Sequence, residues 1–171
     1  MTLPDFVVIS GAPGSGKTSL ARRLADATGL PLFCKDTIKV ALLDSLGFDG
    51  VEEAQRLGAA SIAVLLAVAG EAGRGIVESA WLPELARDEV RRLPGSIVEV
   101  HCACEPAEAE RRYRERERHP GHFDQHRAVG SSLWTGPRSQ PIDGPWPVVS
   151  VDTNDHVPIE LVVGLIGSSP G

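Results

Sequence analysis

Cysteine is scarce in this sequence. The 171 residues hold three, Cys34, Cys102 and Cys104, an odd number too small for a disulfide framework, which fits a chain that works in a reducing cytosol. Cys102 and Cys104 alternate along a predicted strand, but no second pair stands near enough to complete a metal site. Both therefore read as small core residues. His119 and His122 are likewise too few to form a metal centre. Positive charge is in deficit, with 17 lysines and arginines against 23 aspartates and glutamates and a formal net charge of −6. A general nucleic-acid or membrane-surface binder normally needs a net basic face, so neither is an expected partner. Long apolar runs are missing too: the longest, Leu57 to Gly70, is too short to cross a bilayer and reads as a buried helix. No charged-then-apolar leader opens the chain, because Asp5 and a strand come at once. What remains is 42% hydrophobic and 23% charged, the composition of one globular domain over 1–171, without internal repeats.

Against these absences stands one dense motif. Gly11-Ala12-Pro13-Gly14-Ser15-Gly16-Lys17-Thr18 matches the phosphate loop G-x-x-x-x-G-K-S/T without a gap. Phe6 to Ile9 before it reads as a buried strand, and Ser19 to Thr28 after it as a helix ended by Gly29. A chain wrapping a polyphosphate must point successive N–H groups inward, which the glycines permit. Lys17 would reach the β- and γ-phosphates, the Thr18 hydroxyl would ligate Mg²⁺, and the helix N-terminus would add its positive dipole end.

Further along, Leu32-Phe33-Cys34 reads as a second strand, leading through Lys35 to Lys39 into a helix over Val40 to Leu46 closed by Gly47. Asp36 stands where that helix begins. It can cap the helix, for about 1 kcal/mol, or serve chemistry at a ligand; the residues alone leave both open. Glu52 to Gly70 predicts a helix with a polar start, on which Arg56 either faces a ligand or lies on the solvated side. Ile76 to Trp81 reads as a third strand. Carboxyl ends of parallel strands face the ligand crevice, so Glu78 and Trp81 are candidates for hydrogen bonding to, and stacking on, a substrate. Pro83 to Leu93 predicts a helix and Ser96 to Cys104 a fourth strand.

The most charged stretch is Ala107 to Arg118. Read as a helix, it pairs Glu108 with Arg112, Glu110 with Arg114 and Arg111 with Glu115, each worth ~0.2–0.5 kcal/mol, and it sets Arg112 and Arg116 on one stripe. Arg118 follows, just before His119-Pro120-Gly121-His122. Three guanidiniums leading into a hinge-like loop suit a lid that closes over phosphate charge. Gln125 to Trp134 predicts a further helix, and Gly136 to Pro147 a proline-rich loop that packing of the last strand must anchor. Val148 to Asp152 is that strand, Thr153 to His156 a turn, Pro158 to Ile166 a terminal helix, and Gly167 to Gly171 a frayed tail.

Strands and helices alternate throughout, which predicts an α/β fold with a parallel sheet covered on both faces. With a phosphate loop after the first strand and an arginine-rich lid after the fourth, the chain resembles the small P-loop kinases related to adenylate kinase. Among them it looks most like the group of chloramphenicol phosphotransferase, gluconate and shikimate kinases and the kinase domain of polynucleotide kinase. The resemblance spans nearly the whole chain. It implies a P-loop NTPase fold, a five-stranded parallel sheet in the order 2-3-1-4-5, with a lid at about 112–126 and an acceptor-binding region at about 36–82.

It also implies roles. In such kinases an aspartate soon after the second strand takes the proton of the attacking hydroxyl, which would be Asp36. Lys35-Asp36-x-x-Lys39 is similar to the Arg-Asp-Asp-x-Arg segment of polynucleotide kinase and brings Lys39 to the acceptor. Thr37 replaces the second acid, which counts against polynucleotide specificity. Arg112 and Arg116 resemble the pair in the helix leading into the lid, and Arg118 a lid arginine. Arg112 would lie over the adenine, with the turn Thr153 to Val157 on the base's other side. Thr18 and waters would hold the Mg²⁺, with Asp36 close by.

The expected activity is transfer of the ATP γ-phosphoryl group to a hydroxyl of a small molecule. Lys17, Asp36, Arg116 and Arg118 would act at the transferring group. Gly11, Pro13, Gly14, Ser15, Gly16, Lys17, Thr18 and Ser19 would bind the nucleotide with Arg112 and Thr153. Asp36, Lys39, Arg56, Glu78 and Trp81 would line the acceptor site. An antibiotic or other secondary metabolite, a sugar and a metabolic acid are all open as acceptors; Trp81 offers a flat apolar face to the first. Two other readings stand beside this one: a 5'-hydroxyl polynucleotide or nucleoside kinase, disfavoured by the acidic balance, and a nucleotide-binding switch without transfer activity.

Overall fold

A computed structural model of the chain describes residues 2–123 and 129–169. Five short strands form one sheet: β1 (Phe6–Ser10), β2 (Leu32–Cys34), β3 (Gly75–Glu78), β4 (Ile97–Ala103) and β5 (Val148–Asp152). All pairs are parallel, and the order is β2-β3-β1-β4-β5, as the resemblance implies. Among the described residues six α-helices accompany the sheet: α1 (Lys17–Thr28), α2 (Lys35–Leu46), α3 (Gly50–Ala72), α4 (Pro83–Val90), α5 (Pro106–Glu115) and α6 (Ile159–Ser168).

The central position of β1 explains its composition. Every residue of the strand is buried, so it reads as a continuous apolar run instead of alternating. Successive side chains point to opposite faces. Val7 and Ile9 pack with Leu20 and Leu24 of α1 and with Val162 and Ile166 of α6. Phe6 and Val8 pack with Leu65 and Ala69 of α3, Val90 of α4, and Trp146. Each such buried side chain stabilises the fold by ~1.5–3 kcal/mol, and together they fix the end of β1 from which the phosphate loop departs.

Several boundaries differ from those the sequence predicts. α2 starts at Lys35, directly off Cys34, without the predicted lead-in. α3 extends the predicted Glu52–Gly70 helix by two residues at each end and reaches 23 residues. It is long and apolar enough to cross a membrane by length and composition, which corrects the expectation drawn from the Leu57–Gly70 run. In this fold its Leu57, Ser61, Leu65 and Ala69 are buried. β3 stops at Glu78, so Ser79 to Trp81 leave the sheet. α4 ends at Val90 and α6 continues to Ser168. Of the predicted helix Gln125–Trp134, residues 125–128 lie outside the described ones, and Leu133 and Trp134 form turns.

The loop Gly136–Pro147 is held by a carboxylate inside the sheet. Glu99 on β4 is fully buried. It accepts hydrogen bonds from the Ile142 N–H at 2.8 Å, Trp146 Nε1 at 3.1 Å and Ser10 Oγ at 2.5 Å. A buried carboxylate persists only where it is hydrogen-bonded in this way. Glu99→Ala would strand the Ile142 and Trp146 donors, at ~1–3 kcal/mol each. Scanning calorimetry should therefore show Tm falling by about 10 °C, at roughly 2–4 °C per kcal/mol; a change within about 2 °C would show that the loop is held by other means.

Candidate active site

The chain turns from β1 into α1 through the phosphate loop, and the turn needs its glycines. Gly14 has φ +83°, and a Cβ there would stand 2.0 Å from the Ala109 carbonyl oxygen of α5. No side chain fits between these backbones. Gly16 is the N-cap of α1, also left-handed, with no side-chain cap and no acid in the first turn. The first N–H groups of α1 and its positive dipole end are thus turned toward the hollow of the loop.

Two further features fit that hollow to an anion. Ser15 Oγ is buried without a hydrogen-bond partner, a cost that an incoming acceptor oxygen would remove. Lys17 Nζ, also buried, donates to the Ala12 carbonyl at 2.7 Å. Burial pushes the Lys17 pKa down while Glu78 and Cys102 work to raise it, so an anion beside the ammonium would favour its charged form. Pro13 lies at the loop's edge, its carbonyl accepting from Trp134 Nε1 at 3.0 Å; Ser19, one helical position past Thr18, is exposed.

Thr18 Oγ1 donates to Glu78 Oε2 at 3.3 Å, and Cys34 Sγ approaches the same oxygen at 2.9 Å. The Glu78 carboxylate is therefore engaged at Thr18, where the sequence placed it toward the acceptor. Hydroxyl and carboxylate oxygens side by side suit a hard cation such as Mg²⁺, although the described residues contain no cluster of three or more His, Cys, Asp or Glu side chains able to hold a metal. Cys34 is half-buried beside this carboxylate, and burial and Glu78 raise its pKa to about 11. Cys102 is the fully buried thiol, raised by burial to about 12.

Asp36 lies in the first turn of α2, but the N-cap is Cys34 and no side chain caps the helix. The Asp36 carboxylate instead pairs with Lys35 Nζ at 3.3 Å and with Arg118. Burial works to raise its pKa, yet Arg118, then Lys35 and His122, overcome this and hold it at about 2. Arg118 and Arg116 both stand over the Tyr113 ring, 5.7 and 5.2 Å from its centroid.

Because α5 ends at Glu115 and Arg116 is extended, Arg112 and Arg116 do not share a helical stripe. Arg112 donates to the Thr153 and Asn154 carbonyls at 2.7 and 2.6 Å, so it sits against the turn after β5. Thr153 itself is buried, its hydroxyl on the Ala103 carbonyl at 2.8 Å. The described segment after α5 rests on α2: His119 bonds Asp44 at 3.1 Å, and Lys39 Nζ donates to the Gly121 carbonyl at 3.0 Å.

Several of these groups, though not Ser15, Arg112 or Thr153, line one cavity of about 480 Å³. Lys17, Thr18, Asp36, Glu78, Arg116 and Arg118 line it on the side of the phosphate loop and the segment after α5. Ile62, Trp81 and Leu85 give it apolar walls. Trp81 is mostly core, 3% exposed, with its indole N–H on the Ile9 carbonyl at 3.0 Å. Arg56 is a correction: its side chain is 76% exposed and pairs with Glu53, and Gln55, Gly58, Ala59 and Ile62 are the described α3 residues that face the cavity. Sequence reasoning missed Arg138, a cavity residue from the proline-rich loop. No periodicity marks it; a lone cation within a Pro/Gly stretch was the available signal.

Known proteins share this architecture. A 24% identical structure of a presumed kinase from Chloroflexus aurantiacus superposes with a TM-score of 0.84, over 99% of this chain and 100% of that one. Shikimate kinase from Acinetobacter baumannii, 16% identical, gives 0.60 over 98% and 94%. A gluconokinase from Sinorhizobium meliloti, 20% identical, gives 0.55 over 97% and 91%. At these identities the likeness establishes the fold. No curated protein sequence matches the chain significantly. The sequence pattern of the AAA domain family does match, over residues 6–132; with its phosphate loop at the end of a central parallel strand, the chain belongs to that family and has the fold of the small P-loop kinases.

Proposed function

We infer that this protein transfers the γ-phosphoryl group of ATP to a hydroxyl of a small molecule held in the cavity. The observation that carries this reading is that Asp36 and Lys17 line the same cavity, so a carboxylate and a phosphate-binding loop serve one enclosed space. The backbone N–H groups at the start of α1, Ser15 and Lys17 would hold the triphosphate, and Arg112 with the Thr153 turn would hold the base. Thr18 and Glu78 fit Mg²⁺, which when bound neutralises charge across the β- and γ-phosphates.

Arg118 links the two halves of the chemistry. While it is paired with Asp36, the carboxylate is a weak base, at a pKa of about 2. A γ-phosphate competing for the guanidinium would release that hold, so Asp36 becomes basic as the phosphoryl group arrives, when it must accept the hydroxyl proton. Arg116, in the same cavity, would share the neutralisation. The lid at about 112–126, of which residues 124–126 lie outside the described ones, would, in a single domain over 1–171, shut water out. The gluconokinase and shikimate kinase likenesses support a small-molecule acceptor; the wall of Ile62, Trp81 and Leu85 supports one with an apolar part, as in an antibiotic or secondary metabolite. The free thiols support a cytosolic setting.

The test is ATP consumption against a panel of small alcohols. Turnover should rise at least tenfold above the alcohol-free rate with one or more members, a step that transition-state positioning readily supplies. Turnover that no alcohol stimulates would favour the switch reading instead.

A further inference from the structure

A buried polar cluster at the root of the phosphate loop takes no part in the transfer described above. Ser10, the last residue of β1 and the one before Gly11, stands opposite His101 of β4 in the sheet register. Its hydroxyl lies 2.5 Å from Glu99 Oε1 and 3.0 Å from His101 Nδ1. None of the three residues is more than 5% exposed. Glu99 also accepts from the Ile142 N–H and from Trp146 Nε1, so its carboxylate serves as acceptor on both oxygens. Ser10 has one hydroxyl proton and gives it to Glu99. The link to His101 then needs a proton from the ring: Nδ1–H donates to Ser10 Oγ, and the other ring nitrogen is the one that can gain or lose a proton.

The groups that face this ring oppose one another. Burial, together with the Lys17 ammonium at the start of α1, holds the His101 pKa below its ordinary value, against the Glu99 carboxylate on the same strand and the backbone of Ser139 in the loop before β5. With the phosphate loop empty, the ring is therefore neutral near neutral pH. A nucleotide's phosphates beside Lys17 would neutralise the ammonium and end its opposition. Buried Glu99 would then draw a proton to the ring.

We propose that His101 is a positioning residue of the phosphate loop: neutral while the loop is empty, it takes up a proton when a nucleotide's phosphates settle beside Lys17, and it then clamps Ser10 between a cation and the Glu99 carboxylate. Hydrogen bonds to charged groups are about twice as strong as neutral ones, so the root of the loop is held most firmly while the loop is occupied. Linkage is reciprocal, and protonation of His101 in turn tightens nucleotide binding. This rests on the nucleotide-binding half of the reading above and does not require phosphoryl transfer.

The experiment counts protons. Mg-β,γ-imido-ATP is titrated into the parent and into His101→Asn by calorimetry, in buffers of different ionisation enthalpy; asparagine offers an N–H where Nδ1 stands and cannot titrate. The nucleotide's own ionisation is common to both, so the difference belongs to the ring. The parent should take up more protons than the variant at about pH 6, and the two should agree by about pH 8, where the ring is neutral in both states. From about pH 8 to about pH 6 the parent's affinity should gain at least ~3-fold on the variant's, the equivalent of a half-unit rise in the ring pKa. Nitrogen NMR of the parent's histidine rings reads the same event without a substitution: the His101 pKa should rise when the analogue binds, with Nδ1 protonated throughout. Equal proton uptake in parent and variant, a ring pKa unmoved by the analogue, or a ring already charged near neutral pH in the empty protein would each overturn the proposal. Failure of the analogue to bind would overturn both this proposal and the kinase reading. Proton uptake at His101 in a protein that phosphorylates no alcohol would leave the proton link standing and overturn the kinase reading alone.

Discussion

Replacing Lys17 by methionine is expected to lower alcohol-dependent ATP turnover by about a thousandfold, the scale on which a single cation at a transferring phosphoryl group acts. The geometry indicates why the loss should be catalytic and not a failure to fold. The ammonium is buried, and burial depresses its pKa, so its charge is a burden on the folded protein in the absence of an anion. Methionine keeps the length and the apolar contacts of the stem and gives up one hydrogen bond, to the Ala12 carbonyl, worth ~1 kcal/mol. Tm should therefore stay within a few degrees of the parent's, roughly 2–4 °C. Steady-state turnover and calorimetry on the same preparation check both halves. A variant that keeps a tenth or more of the parent rate would mean that Lys17 does not sit at the reacting group.

The second large effect belongs to Asp36. Asp36→Asn preserves shape but cannot take a proton, and loss of a general base lowers kcat by ~10²–10⁴. Mg-ATP should bind as tightly as before or better, because the substitution removes a negative charge near the triphosphate and frees Arg118 from its ion pair. That split, with kcat falling while nucleotide affinity holds or improves, distinguishes a base from a residue that only supports the loop. Unchanged kcat, or kcat and affinity falling together, would contradict the assignment.

The pairing with Arg118 also has a pH signature. The Asp36 pKa is lowered from 3.8 to about 2. A carboxylate depressed in the folded state stabilises it fully above the unfolded value, and this contribution is lost as pH falls through the folded one. Arg118→Met removes the strongest influence holding that pKa down, leaving Lys35 and His122 against burial. A side-chain carboxyl titration followed by NMR should show the Asp36 pKa move upward. If it stays where it was, Arg118 is not what restrains the base.

What could be read from the sequence follows the range of the contacts involved. The phosphate loop was legible because its strand, glycines, lysine and helix are consecutive. The sheet order followed from alternating elements together with a family resemblance. Asp36 was visible because it stands just past a strand. By contrast, Glu99 meets Ile142 across 43 residues and Arg138 meets Ala80 across 58, and neither leaves a periodic trace. Arg56 was misplaced because the polar start of α3 offers several faces, and spacing alone does not choose which one turns inward. Arg116 was placed on a helix by its charged neighbours; in the fold the helix ends at Glu115, and the extended segment after it lets Arg116 and Arg118 stack over Tyr113. Tertiary contacts override local helix propensity there.

The most direct test of the central claim is a ³¹P NMR time course with Mg-ATP and the alcohol panel. A phosphomonoester resonance should grow in step with ADP in the parent and stay absent in Lys17→Met. If ATP is bound but its terminal phosphate appears only as inorganic phosphate, whatever alcohol is supplied, the account of this protein as a phosphotransferase is contradicted.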